Sequence, residues 1–238
     1  MGFRSYGVVS VMVRFGSGWF GVAALLVATS ASAEVTRARA AISALPKRGA
    51  TPGAFVPKGW SVEVTVEADL DADQKPDKVL VLLEDGPEDD RERAAVVLLK
   101  RDSGYVLGGS NVGLLPCWGC SGVKGGYGTP SIEVGKGVLL VDQIAGSRNF
   151  TTRLSRFRWH RSRRVFELIG EDVHSGDAVT GESTDSSCNF LTRECVETVT
   201  PPQVDEEGRE VPAPGTTRSW RMPKKPLISL EQLGQLDQ

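Results

Sequence analysis

Regular alternation of apolar and polar residues after Trp60 most constrains the fold of this chain. Val62, Val64 and Val66 alternate with polar residues, a period of two that predicts a β-strand with one apolar and one solvated face. Further short apolar runs, separated by turn residues, follow along the chain, and no long helical period follows them. Parallel βαβ units would need helices between their strands. The sequence therefore predicts an all-β fold, an antiparallel meander forming a single sandwich or barrel-like domain with a short N-terminal helix or arm.

The N-terminal residues have the features of an export signal. Basic Arg4 and Arg14 precede an apolar run of about ten residues, WFGVAALLVA, and the sequence ASA at 31–33 is a small-residue cleavage pattern. A membrane-spanning helix needs about 20 apolar residues, so an uncleaved membrane anchor is the alternative rather than the expectation. We predict a signal peptide at residues 1–33, an exported protein that is periplasmic or secreted, and no transmembrane segment in the mature chain.

The remaining sequence suits a single domain with a lead-in and a tail. We predict a helix or linker at 34–57, the β domain at 58–230 and a short tail at 231–238. Residues 201–217 are polar, acidic and proline-rich, which indicates a flexible loop. The net charge of −2 at pH 7 gives no electrostatic reason to expect nucleic-acid binding, which favours a clearly basic domain.

Four aspartates lie in one short loop, DLDADQKPD, between the first two predicted strands. They fall at positions 1, 3, 5 and 9 of that loop. Calcium takes about six to eight oxygen ligands, and flexible acidic loops supply them from alternate positions and from a backbone carbonyl at position 7. The predicted ligands are Asp69, Asp71, Asp73, the carbonyl of Lys75, and Asp77.

Two departures from the usual calcium loop predict a weak site. Gln74 stands at position 6, where glycine normally makes the sharp turn, and Leu80 stands at position 12, where a glutamate is usual. We therefore expect affinity in the extracellular range, roughly 10⁻⁴–10⁻³ M. The alternative is a solvated, aspartate-rich hairpin turn that binds no cation tightly.

The segment FVPKGW at 55–60, followed by ADLDADQKPDKVLVLLED at 68–85, resembles a group of exported bacterial proteins. Those proteins carry a single loop similar to the calcium loops of FG-GAP/VCBS repeat proteins. The resemblance implies Asp69, Asp71, Asp73 and Asp77 as metal ligands. It does not imply a β-propeller, because a propeller needs several repeated blades and this chain has a single acidic loop of this kind.

The cysteines form two close pairs in sequence, Cys117 with Cys120 and Cys188 with Cys195. An even count in an exported chain favours disulfides, either within these pairs or crossed between them. The first pair has redox spacing, but a thioredoxin-type site needs a helix start in a βαβ setting. A zinc site would have to gather ligands from both pairs. The glycine-rich segment 108–128 around the first pair is a candidate location for activity.

An arginine-rich hairpin tip, HRSRR, is the other candidate binding feature. Arg161, Arg163 and Arg164 could bind an anionic partner such as a component of the cell envelope or an anionic glycan, and a solvated outer face is the alternative. The two histidines, His160 and His174, have no carboxylate partner that the sequence identifies.

These features favour an exported, non-enzymatic β-domain protein that has a binding or structural role in the cell envelope. The sequence contains no G-x-S-x-G, no H-E-x-x-H and no phosphate-binding glycine loop. The alternative is an envelope-associated enzyme, a hydrolase or a thiol redox protein, whose active site the sequence does not identify.

Overall fold

A computed structural model of the chain describes residues 30–86, 91–119, 131–204, 208–209, 211 and 214–234, with the side chains of residues 30–36 outside the description. Most of the predicted signal peptide, residues 1–29, therefore lies outside the described residues. Helix α1 spans Ser30–Ser43, and its backbone runs across the predicted cleavage position between Ala33 and Glu34. Within the described residues, no helix is both long and apolar enough to cross a membrane.

The first sheet has five antiparallel strands in the order β1-β5-β4-β3-β2. A 3-10 turn at Pro52–Phe55 lies between its first two strands in sequence. The sheet consists of β1 (Arg48–Gly49), β2 (Trp60–Ala68), β3 (Asp77–Glu84), β4 (Arg93–Arg101) and β5 (Gly104–Val112).

The second sheet has seven antiparallel strands in the order β12-β11-β10-β9-β8-β7-β6, a meander that follows the sequence. Its strands are β6 (Ser131–Gly135), β7 (Val138–Gly146), β8 (Asn149–His160), β9 (Val165–Asp177), β10 (Ser183–Asn189), β11 (Glu194–Thr200) and β12 (Thr216–Arg221). The prediction of an all-β antiparallel fold with a short N-terminal helix is confirmed.

The two sheets pack face to face over the main core. Alternate residues of β3 and β4, among them Val81 and Val97, face Leu139, Phe157 and Phe166 of the second sheet. Burying these apolar side chains is the main stabilising contribution, about 1.5–3 kcal/mol for each large side chain.

Helix α1 covers the other face of the first sheet. Its Ala38 and Ile42 belong to a second core with Leu80, Leu82 and Val96. Strands β3 and β4 are therefore buried on both faces, which explains why their sequences are apolar at consecutive positions rather than alternating.

The C-terminal residues pack into the main core through a 3-10 turn at Leu230–Gln232. Leu230 and Leu233 are buried, and the side chain of Asn111 donates hydrogen bonds to both of their carbonyl oxygens. The segment predicted as a tail thus begins inside this turn, although residues 235–238 lie outside the description. Strand β12 likewise begins within the last residues of the predicted 201–217 loop.

Candidate metal centre

The aspartate loop connects β2 to β3, whose paired ends are Ala68 and Asp77. Two non-glycine residues of the loop have left-handed backbones, Ala72 with φ 58° and Gln74 with φ 65°. Such a conformation costs roughly 1–2 kcal/mol for a residue with a side chain. The loop thus makes its sharp turn at Gln74, the position where calcium loops usually hold glycine.

The carboxylate of Asp69 stabilises this turn by hydrogen bonds to backbone amides of the loop. One of its carboxylate oxygens accepts a hydrogen bond from the Asp73 amide at 3.2 Å, and the other accepts one from the Gln74 amide at 2.9 Å. These bonds wrap the following residues around the carboxylate and offset part of the cost of the left-handed backbone.

Asp77 ties the loop to the neighbouring strand β4. Its side chain is fully buried and accepts hydrogen bonds from the amides of Leu70, at 2.8 Å, and Lys100, at 2.7 Å. Burial raises the pKa of Asp77, and the nearby charges of Asp71 and Asp73 add to that increase, while the two amide hydrogen bonds lower the pKa in part. This carboxylate is thus fixed in place, and its environment disfavours an uncompensated negative charge.

Three of the predicted ligands converge. One carboxylate oxygen from each of Asp69, Asp71 and Asp77 lies within 4.8 Å of the other two. The side chain of Asp71 is only 6% exposed, and its Oδ1 atom is buried without a hydrogen-bond partner. Buried polar atoms are rarely left unpartnered, because desolvation costs about 1–3 kcal/mol. The acidic triad can therefore hold a metal ion.

Asp73 and Lys75 lie at the rim of the loop rather than in the triad. Asp73 accepts a hydrogen bond from the Lys75 amide at 3.0 Å. The Lys75 ammonium pairs with Asp102 at 2.5 Å, and this hydrogen bond is the first cause of the raised pKa of Lys75. Metal binding by Asp73 and by the carbonyl of Lys75 stays a prediction.

Two arginines from distant parts of the chain contact the loop. Arg101 donates to the carboxylates of Asp71, at 2.5 Å, and Asp73, at 3.1 Å. Arg161 donates to the backbone carbonyl oxygens of Asp71, at 2.8 Å, and Ala72, at 3.0 Å. Arg161 was predicted to bind an anion rather than the loop. Arg101, the last residue of β4, was not predicted to contact the loop.

The predicted anion-binding arginines therefore divide by position. Arg161 contacts the aspartate loop, and Arg163 pairs with Glu167 on its own hairpin. Arg164 has a left-handed backbone with φ 55° and an exposed side chain. The binding of an anion by these residues stays a prediction.

Three of the four cysteines lie within the described residues. Cys188 and Cys195 form a disulfide between directly opposed residues of β10 and β11, which corresponds to the local pairing of the two alternatives. Cys117 is disulfide-bonded as well, and Cys120 lies outside the described residues.

The histidines are both near hydrogen-bonding partners. His174 has a carboxylate partner that sequence reasoning did not place, since its Nδ1 atom lies 2.7 Å from Asp185 across the β9–β10 pair. His160 Nδ1 lies 3.3 Å from the Ser162 hydroxyl and accepts a hydrogen bond from the Arg163 amide at 3.3 Å.

Comparison of the chain with protein-family models, with characterised proteins and with solved structures finds no match.

Proposed function

We propose that this protein is an exported β-sandwich that binds calcium in its aspartate loop and has a non-enzymatic, binding or structural role in the cell envelope. The observation that carries the proposal is the buried, unpartnered Oδ1 atom of Asp71 beside the carboxylates of Asp69 and Asp77. A bound cation would satisfy that oxygen and offset the mutual repulsion of the carboxylates.

The chemistry of the ligands favours calcium among common cations. All three converging groups are carboxylates, whereas zinc is usually bound through cysteine or histidine. The triad oxygens all lie within 4.8 Å of one another, so a single ion with oxygen bonds of about 2.3–2.6 Å, as calcium forms, can contact all three. Magnesium has shorter bonds and usually keeps several water ligands, so a dedicated protein loop suits it less well.

The surrounding charges favour weak rather than tight binding. Arg101 already compensates Asp71 and Asp73 through direct ion pairs, so a calcium ion has to compete with a guanidinium for these groups. Affinity of roughly 10⁻⁴–10⁻³ M is typical of extracellular calcium modules. The export signal predicted at residues 1–33 supports a location where such a site is useful.

A cation in the loop would stabilise the contact between the two sheets. The loop belongs to the first sheet, and Asp77 fixes it to Lys100 of β4. Arg161, in the turn after β8, reaches it from the second sheet. Because these contacts end on atoms of the same loop, ordering the loop orders one end of the sandwich.

The test is calcium binding by isothermal titration calorimetry to the wild-type chain and to Asp71→Asn. The substitution keeps the shape of the side chain and removes its charge. We expect calcium affinity to fall at least about tenfold, since a unit charge about 4 Å from a divalent ion contributes about 2 kcal/mol even in water, and tenfold corresponds to about 1.4 kcal/mol. Asp85→Asn is the matched control, because Asp85 is exposed and follows the end of β3 that lies away from the aspartate loop. Equal affinity of Asp71→Asn and the wild type would refute the assignment.

A further inference from the structure

A cavity of about 480 Å³ opens directly beside the aspartate loop. Its charged lining consists of Asp71 and Asp73 from the loop, Arg101 from β4, and Arg161 and Arg164 from the turn after β8. Its volume lies in the range of about 300–1,000 Å³ that small-molecule sites occupy. The loop cavity, defined by these residues, thus shares two acidic side chains with the candidate metal centre.

We propose that the loop cavity binds the carboxylate of an acidic sugar, and that calcium in the aspartate loop increases its affinity for this ligand. The inference rests on the proposed calcium site. Its first support is the distribution of charge, since the cavity holds three arginines and two aspartates. Both aspartates accept hydrogen bonds from Arg101 and so neutralise part of the positive charge that an anion would need.

Calcium would change this balance in one direction. A divalent ion bound by Asp71 and its neighbours adds two positive charges beside the cavity. It also weakens the ion pairs of Asp71 and Asp73 with Arg101. The Arg101 guanidinium then becomes free to bind a carboxylate with two parallel hydrogen bonds, a geometry that arginine favours. By linkage, the anion must increase the affinity for calcium by the same factor.

Arg161 and Arg164, the other two arginines of the cavity, contribute to this site in different ways. Arg161 is held by the backbone carbonyls of Asp71 and Ala72, so its position depends on the conformation of the loop that calcium orders. Arg164 lines the cavity, and within the described part of the chain no hydrogen bond or ion pair involves its guanidinium. Arg164 therefore presents an uncompensated positive charge to an entering anion.

The apolar part of the lining favours a sugar over a bare inorganic ion. Half-buried Trp159 borders the cavity together with Val106 and Leu107. The apolar surface of Trp159 that lines the cavity could contact the C–H groups of a sugar ring, while the arginines bind its carboxylate. An inorganic anion would use the arginines alone and would leave the apolar wall without a contact.

The test uses glucuronate as the probe, glucose as its neutral counterpart and sulfate as a bare anion. Binding of each is measured by calorimetry in saturating calcium and in EDTA. We expect glucuronate to bind at least about tenfold more tightly with calcium, within the usual range of coupling between two sites, and more tightly than sulfate, with no binding of glucose. Equal glucuronate affinity with calcium and with EDTA would overturn the coupling, and equal affinity for sulfate would overturn the role of the sugar ring.

Two variants separate this proposal from the calcium site itself. Arg164→Gln should lower glucuronate affinity at least about fivefold while leaving calcium affinity close to that of the wild type, because Arg164 does not contact the loop carboxylates. Arg158→Gln is the control, since exposed Arg158 lies on β8 beside Trp159 and so faces away from the cavity. If the wild-type chain binds calcium but not glucuronate, the acidic-sugar site alone is overturned. If the wild-type chain does not bind calcium, the proposed function is overturned as well.

Discussion

Replacement of Arg101 by glutamine should increase the affinity of the loop for calcium. Arg101 lies in contact with Asp71 and Asp73, so its positive charge is close to any cation that these carboxylates bind. Glutamine removes the charge and retains a side chain that can donate a hydrogen bond. The same variant should be less stable than the wild type in EDTA, because the loop carboxylates then repel one another without compensation.

The magnitude follows from Coulomb's law. Two unit charges about 4 Å apart interact with about 1 kcal/mol in water, and the double charge of calcium raises this to about 2 kcal/mol. The side chain of Arg101 is about one-third exposed, so the value in water is the appropriate estimate. A free-energy difference of about 2 kcal/mol corresponds to a roughly 30-fold decrease in the dissociation constant.

Isothermal titration calorimetry of the variant against the wild type measures this effect. Arg101→Lys keeps the charge and should stay within a few-fold of the wild type. Arg148→Gln is the distant control. Arg148 comes just before the start of the 12-residue strand β8, whereas Arg161, which contacts the loop, comes just after its end. An unchanged or weaker calcium affinity in Arg101→Gln, with a folded variant, would refute the competition between arginine and calcium.

Three further predictions concern the stability of the fold. Glu63→Ala should lower the free energy of unfolding by about 1.5–3 kcal/mol in urea denaturation, because it removes the carboxylate that pairs with the fully buried Arg93, while Arg93 keeps its hydrogen bond to the Pro116 carbonyl; a loss under 1 kcal/mol would contradict this. Replacing Cys188 and Cys195 together by alanine should cost about 2–3 kcal/mol by the chain-entropy model, and an unchanged urea midpoint would count against it. Burial raises the pKa of Glu171, so its contribution to stability is present below the unfolded-state pKa of about 4.3 and is lost as the pH rises through the folded-state value. Glu171→Gln should therefore gain stability relative to the wild type between pH 4 and pH 7, and a constant difference in melting temperature across that range would exclude this linkage.

The pattern of the sequence predicts the strands because side-chain alternation is a local property. Val64 and Val66 pack against the main core as the alternation predicts. The prediction is wrong for Val62, because a bulge between Val62 and Val64 leaves Val62 46% exposed. The consecutive apolar residues of β3 correspond to a strand buried on both faces. The hairpin around the aspartate loop follows from the same reasoning. Its sharp turn at Gln74 shows that the chain tolerates a left-handed non-glycine residue where Asp69 hydrogen-bonds across the turn.

The environment of the loop could not be predicted, because it depends on long-range register. Arg101 follows Asp71 by 30 residues and Arg161 follows it by 90 residues, and only the packing of the two sheets brings them together. The turn at Leu230–Gln232, in which Leu230 is buried, was missed for a related reason. It is too short to show a period, and its burial depends on Asn111 and on the main core rather than on its own sequence.

The melting temperature in calcium and in EDTA tests the central claim most directly. With a dissociation constant of roughly 10⁻⁴–10⁻³ M, about 10 mM calcium should stabilise the folded chain by about 1.4–2.7 kcal/mol. For a chain of this size that corresponds to an increase of about 3–11 °C, and Asp71→Asn should lose most of it. A wild-type melting temperature that is the same in 10 mM calcium, roughly ten or more times the expected dissociation constant, and in EDTA would contradict the assignment of the aspartate loop as a calcium site.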